Sequence, residues 1–314
     1  MTESPPILSI GMPVYNGARY IEAALDSLLA QTWDDFELII SDNASTDDTE
    51  TICRRYAELD ARVSYHREAE NRGAYWNFNH VFSLARGKFF KWASHDDVCS
   101  PEFLAACMDA LRSDKNIVCC HSYTGNIDAS GRKLPDLPDP TDAGEVRRPG
   151  KRRRDGSSHT LHLRFHDVLI VTGWGVRLWG MYRVDALRKT GLMRDFYGSE
   201  KLLMAELSAL GRIHDVPEVL FWRRVHDAAG SAQLSTDSQR KFSNPNQRRQ
   251  YPLLRKLGGY MAIPFHYPMS WGDRFACYFW ILRYVFQVRK WSGVVANWLF
   301  GRGLHSPGQA PRRS

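Results

Sequence analysis

The sequence predicts an α/β protein with a mostly parallel, doubly wound sheet and a helical C-terminal appendage. Short apolar runs alternate with segments of helical period through residues 7–121, and helices between strands make successive strands parallel. Polar clusters follow three of these runs, at the sheet edge where such folds bind ligands. The 314 residues exceed one minimal domain, which leaves room for the appendage.

The predicted strands are short apolar runs, and the helices between them have apolar residues at helical spacing or begin at capping residues. The first five strands are 7–12, 36–40, 62–66, 88–92 and 116–121. The helices that connect them are 18–31, 47–59, 74 to about 85, and 101–111. Farther along, we predict helices at 184–190 and 199–210 and a strand at 216–224.

Composition and cysteine usage are those of an ordinary globular protein. Hydrophobic residues make up 43% of the chain and charged residues 25%. The six cysteines have no CxxC spacing, and residues 1–6 are polar and proline-rich, so we expect reduced thiols and a cytoplasmic protein. The apolar runs 275–282 and 291–300 fall short of the roughly 18–20 residues that a spanning helix needs.

Positive charge is concentrated at the C-terminal end. From residue 240 onward there are thirteen basic residues and one acid, Asp273, so this region carries +12 and the remainder −5 of the net +7. A nucleic-acid partner is therefore not expected for the body of the protein. Arg283, Gln287, Lys290 and Asn297 fall on one helical stripe, with aromatic residues off it. This pattern fits an interfacial helix on an anionic bilayer, or a helix packed on the rest of the chain or on a second subunit.

Residues 125–158 have the composition of a flexible loop. They contain four prolines and two basic clusters, 147–148 and 151–154. The segment is either a solvated loop or a lid that reaches an anionic ligand.

Six motifs, in order, resemble those of the family 2 glycosyltransferases, which are inverting enzymes with the GT-A fold. They are SIGMPVYN at 9–16, DNASTDDT at 42–49, NRG at 71–73, HDD at 95–97 with Pro101 behind it, GSE at 198–200 and RVH at 224–226. The resemblance covers about residues 7–230. It implies a GT-A catalytic domain over 1–235, with a Rossmann-like nucleotide-binding half, and a basic, aromatic helical region over 236–314.

The resemblance implies a metal-dependent enzyme that moves a sugar, with inversion, from a nucleoside-diphosphate sugar to an acceptor hydroxyl. The residues implied to bind the donor are Pro13, Tyr15, Asn16, Asp42, Asn71, Arg72, His95, Asp96 and Arg224. A UDP or dTDP donor is favoured, because the Asp42 carboxylate can accept the imide N–H of uracil or thymine and rejects the unprotonated N3 of cytosine. Lipid-linked and polysaccharide acceptors, and peripheral attachment to the inner face of the membrane, are left open.

A donor diphosphate needs a hard divalent cation, Mn²⁺ or Mg²⁺, with oxygen ligands. By the family's spacing to the following proline, Asp96 is the implied direct ligand. Asp97 points the other way on an extended chain, so it is implied to support the metal site without binding the ion directly, or to orient the sugar. His226 is implied to coordinate the cation or touch the diphosphate, and Arg224 to pair with a phosphate.

Inverting transfer needs one general base and no covalent nucleophile. Glu200, at the start of a predicted helix where the family usually carries Asp, is the predicted base, and Asp195 is the alternative. Trp174 and Trp179, among glycines, predict either an acceptor-side wall or core packing.

Two other functions stay open on the sequence alone. A nucleotidyltransferase that makes the sugar nucleotide has the same fold class, but residues 12–19 lack a convincing glycine-rich phosphate loop. A non-catalytic nucleotide-sugar-binding module is disfavoured by the acids retained at 42, 96, 97 and 200.

Overall fold

The computed structural model describes residues 5–135, 156–170, 174–226, 236–244 and 251–286. The strands in these ranges are β1 (Leu8–Val14), β2 (Phe36–Asp42), β3 (Val63–Arg67), β4 (Phe89–Trp92), β5 (Val98–Cys99), β6 (Ile117–Ile127), β7 (Met181–Arg183) and β8 (Arg212–Arg224). The helices are α1 (Ile21–Leu29), α2 (Thr49–Leu59), α3 (Ala74–Ser83), α4 (Phe103–Ser113), α5 (Leu161–Ile170), α6 (Val184–Leu187), α7 (Glu200–Leu210), α8 (Thr236–Ser243), α9 (Pro252–His266) and α10 (Trp271–Val285).

The strands form one mixed sheet in the order β3-β2-β1-β4-β7-β6-β8-β5. Strands β3, β2, β1 and β4 are mutually parallel, as are β6 and β8, whereas β7 runs antiparallel to both its neighbours and β5 antiparallel to β8. The predicted α/β class is confirmed. The sequence does not predict β7, because three residues carry no readable period. Gly180 permits its pairing, since a Cβ there would lie 2.6 Å from the Cys120 carbonyl oxygen.

Strands β6 and β8 extend farthest beyond their predicted bounds. Strand β6 continues to Ile127, into the segment predicted as a loop. Strand β8 begins at Arg212 instead of 216, because it pairs along the length of β6. Of the predicted loop 125–158, residues 136–155 lie outside the described residues.

Strand residues alternate between two hydrophobic clusters, one on each face of the sheet. Phe90 and Trp92 of β4 belong to the cluster that includes α5 and α7, and Phe89 belongs to the cluster that includes α1 and α4. All seven residues of β1 and all seven of β2 are buried. This buried pair fixes the positions of the loops that follow it.

The described part of the C-terminal region packs on the sheet domain. Helix α9 contacts α7, and α10 contacts α5. Tyr260 and Ile263 of α9 and Cys277 and Ile281 of α10 are buried in the same cluster as Leu203 of α7. The domain boundary at 235 stays a prediction, and most of the predicted polar stripe, from 287 onward, lies outside the described residues. Among the helices described, none is long and apolar enough to cross a membrane.

Candidate active site

The loop after β1 is tied to the loop after β2 through Asn16. Its backbone N–H donates to Ser45 Oγ (2.9 Å), and its Oδ1 accepts from the Thr46 N–H (2.8 Å). Asn16 has a φ of +52°, a left-handed conformation that Asn tolerates better than most residues. Pro13 is buried in β1 opposite Ser41, whereas Tyr15 is 44% exposed. Tyr15 and Asn16 are therefore the exposed residues of the first motif.

Asp42, at the end of β2, is fully buried and already holds three hydrogen bonds. Its Oδ2 accepts from the Tyr65 hydroxyl (2.6 Å) and from Arg67 Nη1 (2.9 Å), and its Oδ1 accepts from the Ser45 N–H (2.8 Å). A carboxylate offers about four lone-pair sites, so one stays open on Oδ1. Neither Tyr65 nor Arg67, which lie two residues apart on β3, is predicted from the sequence.

Asn71 and Arg72 are held by the second motif. Asn43 Nδ2 donates to Asn71 Oδ1 (2.9 Å), and Asn43 Oδ1 accepts from the Arg72 N–H (3.0 Å). Asn71 Oδ1 also accepts from the N–H of Gly73, whose φ of +92° turns the chain into α3. The Arg72 guanidinium lies 4.2 Å from the centre of the Trp76 ring.

Asp96 and His226 lie side by side although they are 130 residues apart. His226 Nε2 is 3.0 Å from Asp96 Oδ2, and Ser94 Oγ donates to Asp96 Oδ1. Burial raises the pKa of Asp96, but the charge of His95 and the hydrogen bonds from Ser94 and His226 outweigh it, so the net direction is downward. The Asp96 carboxylate is therefore ionised. It is paired with the His226 imidazole, and His95 lies close enough to act on it electrostatically.

Asp97 turns away from Asp96 and fastens the end of β8. Its Oδ1 accepts from the Arg224 N–H (2.8 Å), and Arg224 Nε in turn donates to the Asp96 carbonyl (2.8 Å). Burial and the neighbouring Asp96 charge raise the pKa of Asp97 to about 8. The Arg224 guanidinium also donates to the Asp128 carbonyl (3.2 Å) and is almost fully buried. These contacts hold His226, two residues farther on, beside Asp96.

Of the three predicted metal ligands, Asp96 and His226 contact each other, and Asp97 supports them through the Arg224 backbone. Asp96 Oδ2 and His226 Nε2 are in hydrogen-bond contact at 3.0 Å, and a carboxylate oxygen and an imidazole nitrogen are both groups that bind divalent cations. The buried His226 Nδ1 has no hydrogen-bond partner within the described ranges. In those same ranges no group of three or more His, Cys, Asp and Glu side chains can hold an ion by itself. A cation at this pair would have to take its remaining ligands from a bound molecule or water.

Glu200 begins α7 and is held by a buried tyrosine from α3. The Tyr75 hydroxyl lies 3.2 Å from Glu200 Oε2 and accepts from the Gly198 N–H (3.0 Å). Burial, and then the Glu200 charge, raise the pKa of Tyr75 well above its ordinary value, so the phenol stays protonated and donates to the carboxylate. Burial lowers the pKa of Lys256 on α9, and the Glu200 charge opposes that shift. The sequence analysis missed Tyr75 and Lys256.

The alternative base, Asp195, has a different environment. Its side chain is 49% exposed and forms an ion pair with Arg255 of α9 at 2.6 Å.

A cavity of about 330 Å³ lies next to Asp195. Its lining residues are Arg72, Tyr75, Trp76, Asn79, Met193, Asp195, Ser243 and Asn244. The cavity thus joins the Arg72 segment to Tyr75, the partner of Glu200.

The two tryptophans predicted at the acceptor side lie at the ends of a 3₁₀ helix, Trp174–Trp179. Trp179 is half-buried, with its ring 5.9 Å from that of Phe78, and its carbonyl accepts from Lys91 Nζ. These contacts are those of a core residue, and an acceptor role for Trp174 and Trp179 stays a prediction.

The fold and this edge of the sheet define a protein of the GT-A type. The model of the Glycosyl transferase family 2 matches residues 9–174, more than half of the chain. The chain belongs to that family, as the motifs predict.

Curated relatives match only part of this chain. An uncharacterised glycosyltransferase of Rickettsia prowazekii is 43% identical over 96 residues, which are 31% of this chain and 29% of the relative. A chondroitin synthase of Escherichia coli is 33% identical over 129 residues, 41% of this chain and 19% of the relative. The matched segments thus span less than a third of either relative.

Solved structures share the fold over nearly the whole chain. Residues 1–349 of S. aureus TarS in complex with UDP-GlcNAc superpose with a TM-score of 0.64 at 14% identity, covering 94% of this chain and 76% of that one. A mannosyltransferase from Pyrobaculum calidifontis in complex with GDP-Man and Mn²⁺ gives a TM-score of 0.53 at 16% identity, covering 95% and 79%. At these identities the likeness is one of fold.

Proposed function

We propose that this protein transfers a sugar, with inversion, from a uridine or thymidine diphosphate sugar to an acceptor hydroxyl. The observation that carries the proposal is the Glu200 carboxylate. It is held by the Tyr75 hydroxyl, and Tyr75 lines the cavity that also reaches the Arg72 segment. Tyr75, which holds Glu200, and Asp195, the alternative base, therefore border the same space as the Arg72 segment. Membership of a glycosyl transferase family supports this reading over a nucleotidyltransferase or a non-catalytic module.

The proposed donor site lies along the loops after β1 and β2. The exposed Tyr15 ring is available to stack on a base. Asp42 has one acceptor position left on Oδ1, and the buried carboxylate would have to be uncovered for an imide N–H to reach it. Asn43 and Asn71, which are hydrogen-bonded to each other, form the neighbouring wall of the proposed donor site together with Arg72. The UDP and UDP-GlcNAc complexes of TarS, which has the same fold, support a uridine donor.

We expect Asp42→Asn to weaken UDP binding by about 1–3 kcal/mol, the usual range for a hydrogen bond to a charged group, or roughly 5- to 150-fold. The variant keeps the size of the side chain, but its amide nitrogen cannot accept a hydrogen bond, so at least one of the contacts with Ser45, Tyr65 and Arg67 is lost as well. Isothermal titration with UDP measures the effect. Tyr65→Phe is the matched control, because it removes one hydrogen bond to Asp42 but no contact with a base. An equal loss in both variants would mean that Asp42 only supports the loop.

In the proposed reaction, Glu200 accepts the proton of the acceptor hydroxyl as that oxygen attacks the anomeric carbon in line. The bond to the leaving diphosphate breaks in the same displacement, which inverts the configuration. Tyr75 positions the carboxylate by donating to Oε2, and leaves the other oxygen, Oε1, to take the proton. The cavity beside Tyr75, at about 330 Å³, is the proposed acceptor subsite.

Tyr75→Phe is expected to lower kcat about tenfold with little change in KM for the donor. The phenylalanine keeps the buried ring but removes the hydroxyl that holds Glu200, a loss of about 1.5 kcal/mol. Steady-state transfer rates measure it, and circular dichroism checks the fold. Tyr278→Phe is a control, because its hydroxyl contacts only the α9 backbone at Met261 among the contacts described. A Phe variant with wild-type kcat would remove Tyr75 from the mechanism.

A divalent cation would be held by Asp96 and His226, with Asp97 supporting the site through the Arg224 backbone. When bound, such a cation takes up negative charge that develops on a leaving diphosphate. The Mn²⁺ in the Pyrobaculum calidifontis enzyme, which has the same fold, supports this assignment.

The function is tested by a thermal-shift panel of UDP-, dTDP- and GDP-sugars, with and without Mn²⁺ or Mg²⁺, followed by product analysis of the sugar that stabilises most. We expect a uridine or thymidine donor to raise the melting temperature in a metal-dependent way. Proton NMR of the product should give the inverted anomer. A retained anomer, or stabilisation by GDP-sugars alone, would contradict the proposal.

A further inference from the structure

Helices α9 and α10 carry a row of large apolar side chains on their outer surface, called here the aromatic face. It consists of Met261, Phe265, Trp271, Phe275, Phe279, Leu282 and Phe286, each between 47% and 72% exposed. From Trp271 to Phe286 the members recur every three or four residues, so they lie along one stripe of α10 and its C-terminal end.

The opposite side of α10 is apolar as well. Cys277, Ile281 and Tyr284 are at most 4% exposed and belong to the core. A surface helix normally combines one apolar side with one polar side, and a helix that is apolar all round is normally covered all round. Isolated exposed apolar residues are ordinary, but a contiguous stripe of five marks an interaction surface.

The stripe continues onto α9. Only residues 267–270 separate the two helices, and the Tyr278 hydroxyl of α10 donates to the Met261 carbonyl of α9 (3.4 Å). The exposed Met261 and Phe265 lie one turn apart on α9, and the backbone at Met261 contacts α10. Trp271 and Phe275 lie together at its start, with ring centroids 6.3 Å apart.

The charge around the aromatic face identifies its partner. Two basic residues, Arg274 and Arg283, lie on α10, whereas Arg255 is paired with Asp195 and Lys256 lies beside Gly198. The one acid of residues 251–286, Asp273, is occupied by His162 at 2.8 Å and by Ser270. The Arg274 guanidinium lies over the Trp271 ring at 5.0 Å, and Arg283 is exposed next to Leu282. A second copy of this chain would bring the same positive charges against each other. An anionic bilayer complements them, because aromatic side chains lie at the headgroup level while Arg reaches the phosphates.

We propose that the aromatic face lies on the interface of an anionic lipid bilayer, with α9 and α10 parallel to its plane. This differs from the arrangement predicted by the sequence, which relied on a polar stripe from Arg283 to Asn297. Here the binding surface consists of the described residues 261–286. The proposal concerns membrane attachment and is independent of the transfer reaction.

Vesicle flotation of the full chain tests the proposal. Vesicles of phosphatidylcholine with 30% phosphatidylglycerol are compared with vesicles of pure phosphatidylcholine, at low and high salt. We expect the wild type to float with the anionic vesicles and to be released as salt increases. The double variant Phe275→Glu with Phe279→Glu should bind at least tenfold more weakly. Arg283→Gln should bind about fivefold more weakly, as expected for one basic residue near an anionic surface.

Leu59→Glu is the matched control, because Leu59 is 77% exposed and lies on α2, outside the aromatic face. It should float like the wild type. The substituted side chains are exposed, so all variants should fold, and their melting temperatures check this. A wild type that does not float with anionic vesicles would overturn the proposal. So would wild-type flotation of the double variant, or a dimer in light scattering that the double variant dissociates.

Discussion

The Glu200→Gln variant is expected to lose sugar transfer by ~10²–10⁴, the usual contribution of a general base, while it binds UDP as tightly as the wild type. Glutamine keeps the length of the side chain and a carbonyl oxygen that can accept from the Tyr75 hydroxyl, so the start of α7 should not move. What it cannot do is accept a proton at neutral pH. Donor binding should survive, because Glu200 contacts Tyr75 and none of the loops after β1 and β2 among the contacts described.

The measurement is transfer rate beside UDP affinity for each variant, with Asp195→Asn as the test of the alternative base. Asp195 lines the cavity but is half exposed and paired with Arg255, so neutralising it should lower transfer far less than Glu200→Gln does. Glu200→Asp should keep partial activity, since the family usually carries the shorter acid at this position. Near-normal transfer by the Gln variant would move the base to Asp195. Loss of UDP binding together with transfer would mean that Glu200 is structural.

The first four strands and the helices between them could be predicted because their signals are local. An apolar run, a capping residue or a helical period lies within a dozen residues of the element that it forms. Strands β5 and β7 could not, since two or three residues carry no period and form only where a partner strand is already in place. The same holds for the length of β8, which is set by its pairing with β6.

The motifs predict which residues contact a ligand, but not which protein groups those residues bond to. Asp42 is a polar residue at a strand end, and its full burial under Tyr65 and Arg67 depends on the register of β2 with β3. Tyr75 comes to Glu200 across 125 residues of chain. No spacing rule predicts such a pair, because the approach is made by packing and not by sequence neighbours.

The C-terminal region is a further case in which pattern and packing disagree. A stripe of polar residues from Arg283 suggested one amphipathic helix, but α10 is apolar on two sides, and one of them packs into the core. Aromatic residues at helical spacing occur on both the covered and the uncovered side. Only the buried Cys277, Ile281 and Tyr284 tell them apart, and burial follows from the position of α5.

The Asp96→Asn variant is expected to lose at least ~10² in transfer rate, because a cation contributes several kcal/mol of charge stabilisation and each 1.36 kcal/mol is about tenfold. Asparagine keeps an oxygen for the Ser94 hydroxyl, but it removes the negative charge beside His226 that would hold a hard cation. UDP affinity should then cease to depend on Mn²⁺, whereas in the wild type it should rise as Mn²⁺ is added.

Asp97→Asn separates a ligand from a supporting residue in the same experiment. Asp97 contacts the Arg224 backbone N–H, and an asparagine oxygen can still accept that hydrogen bond. We therefore expect Asp97→Asn to retain clearly more transfer than Asp96→Asn and to keep the Mn²⁺ dependence of UDP binding. Equal losses in the two variants would make both carboxylates direct ligands. Full wild-type transfer in excess chelator would show that the reaction needs no cation. The role of Asp96 would then be to hold the His226 side chain in place.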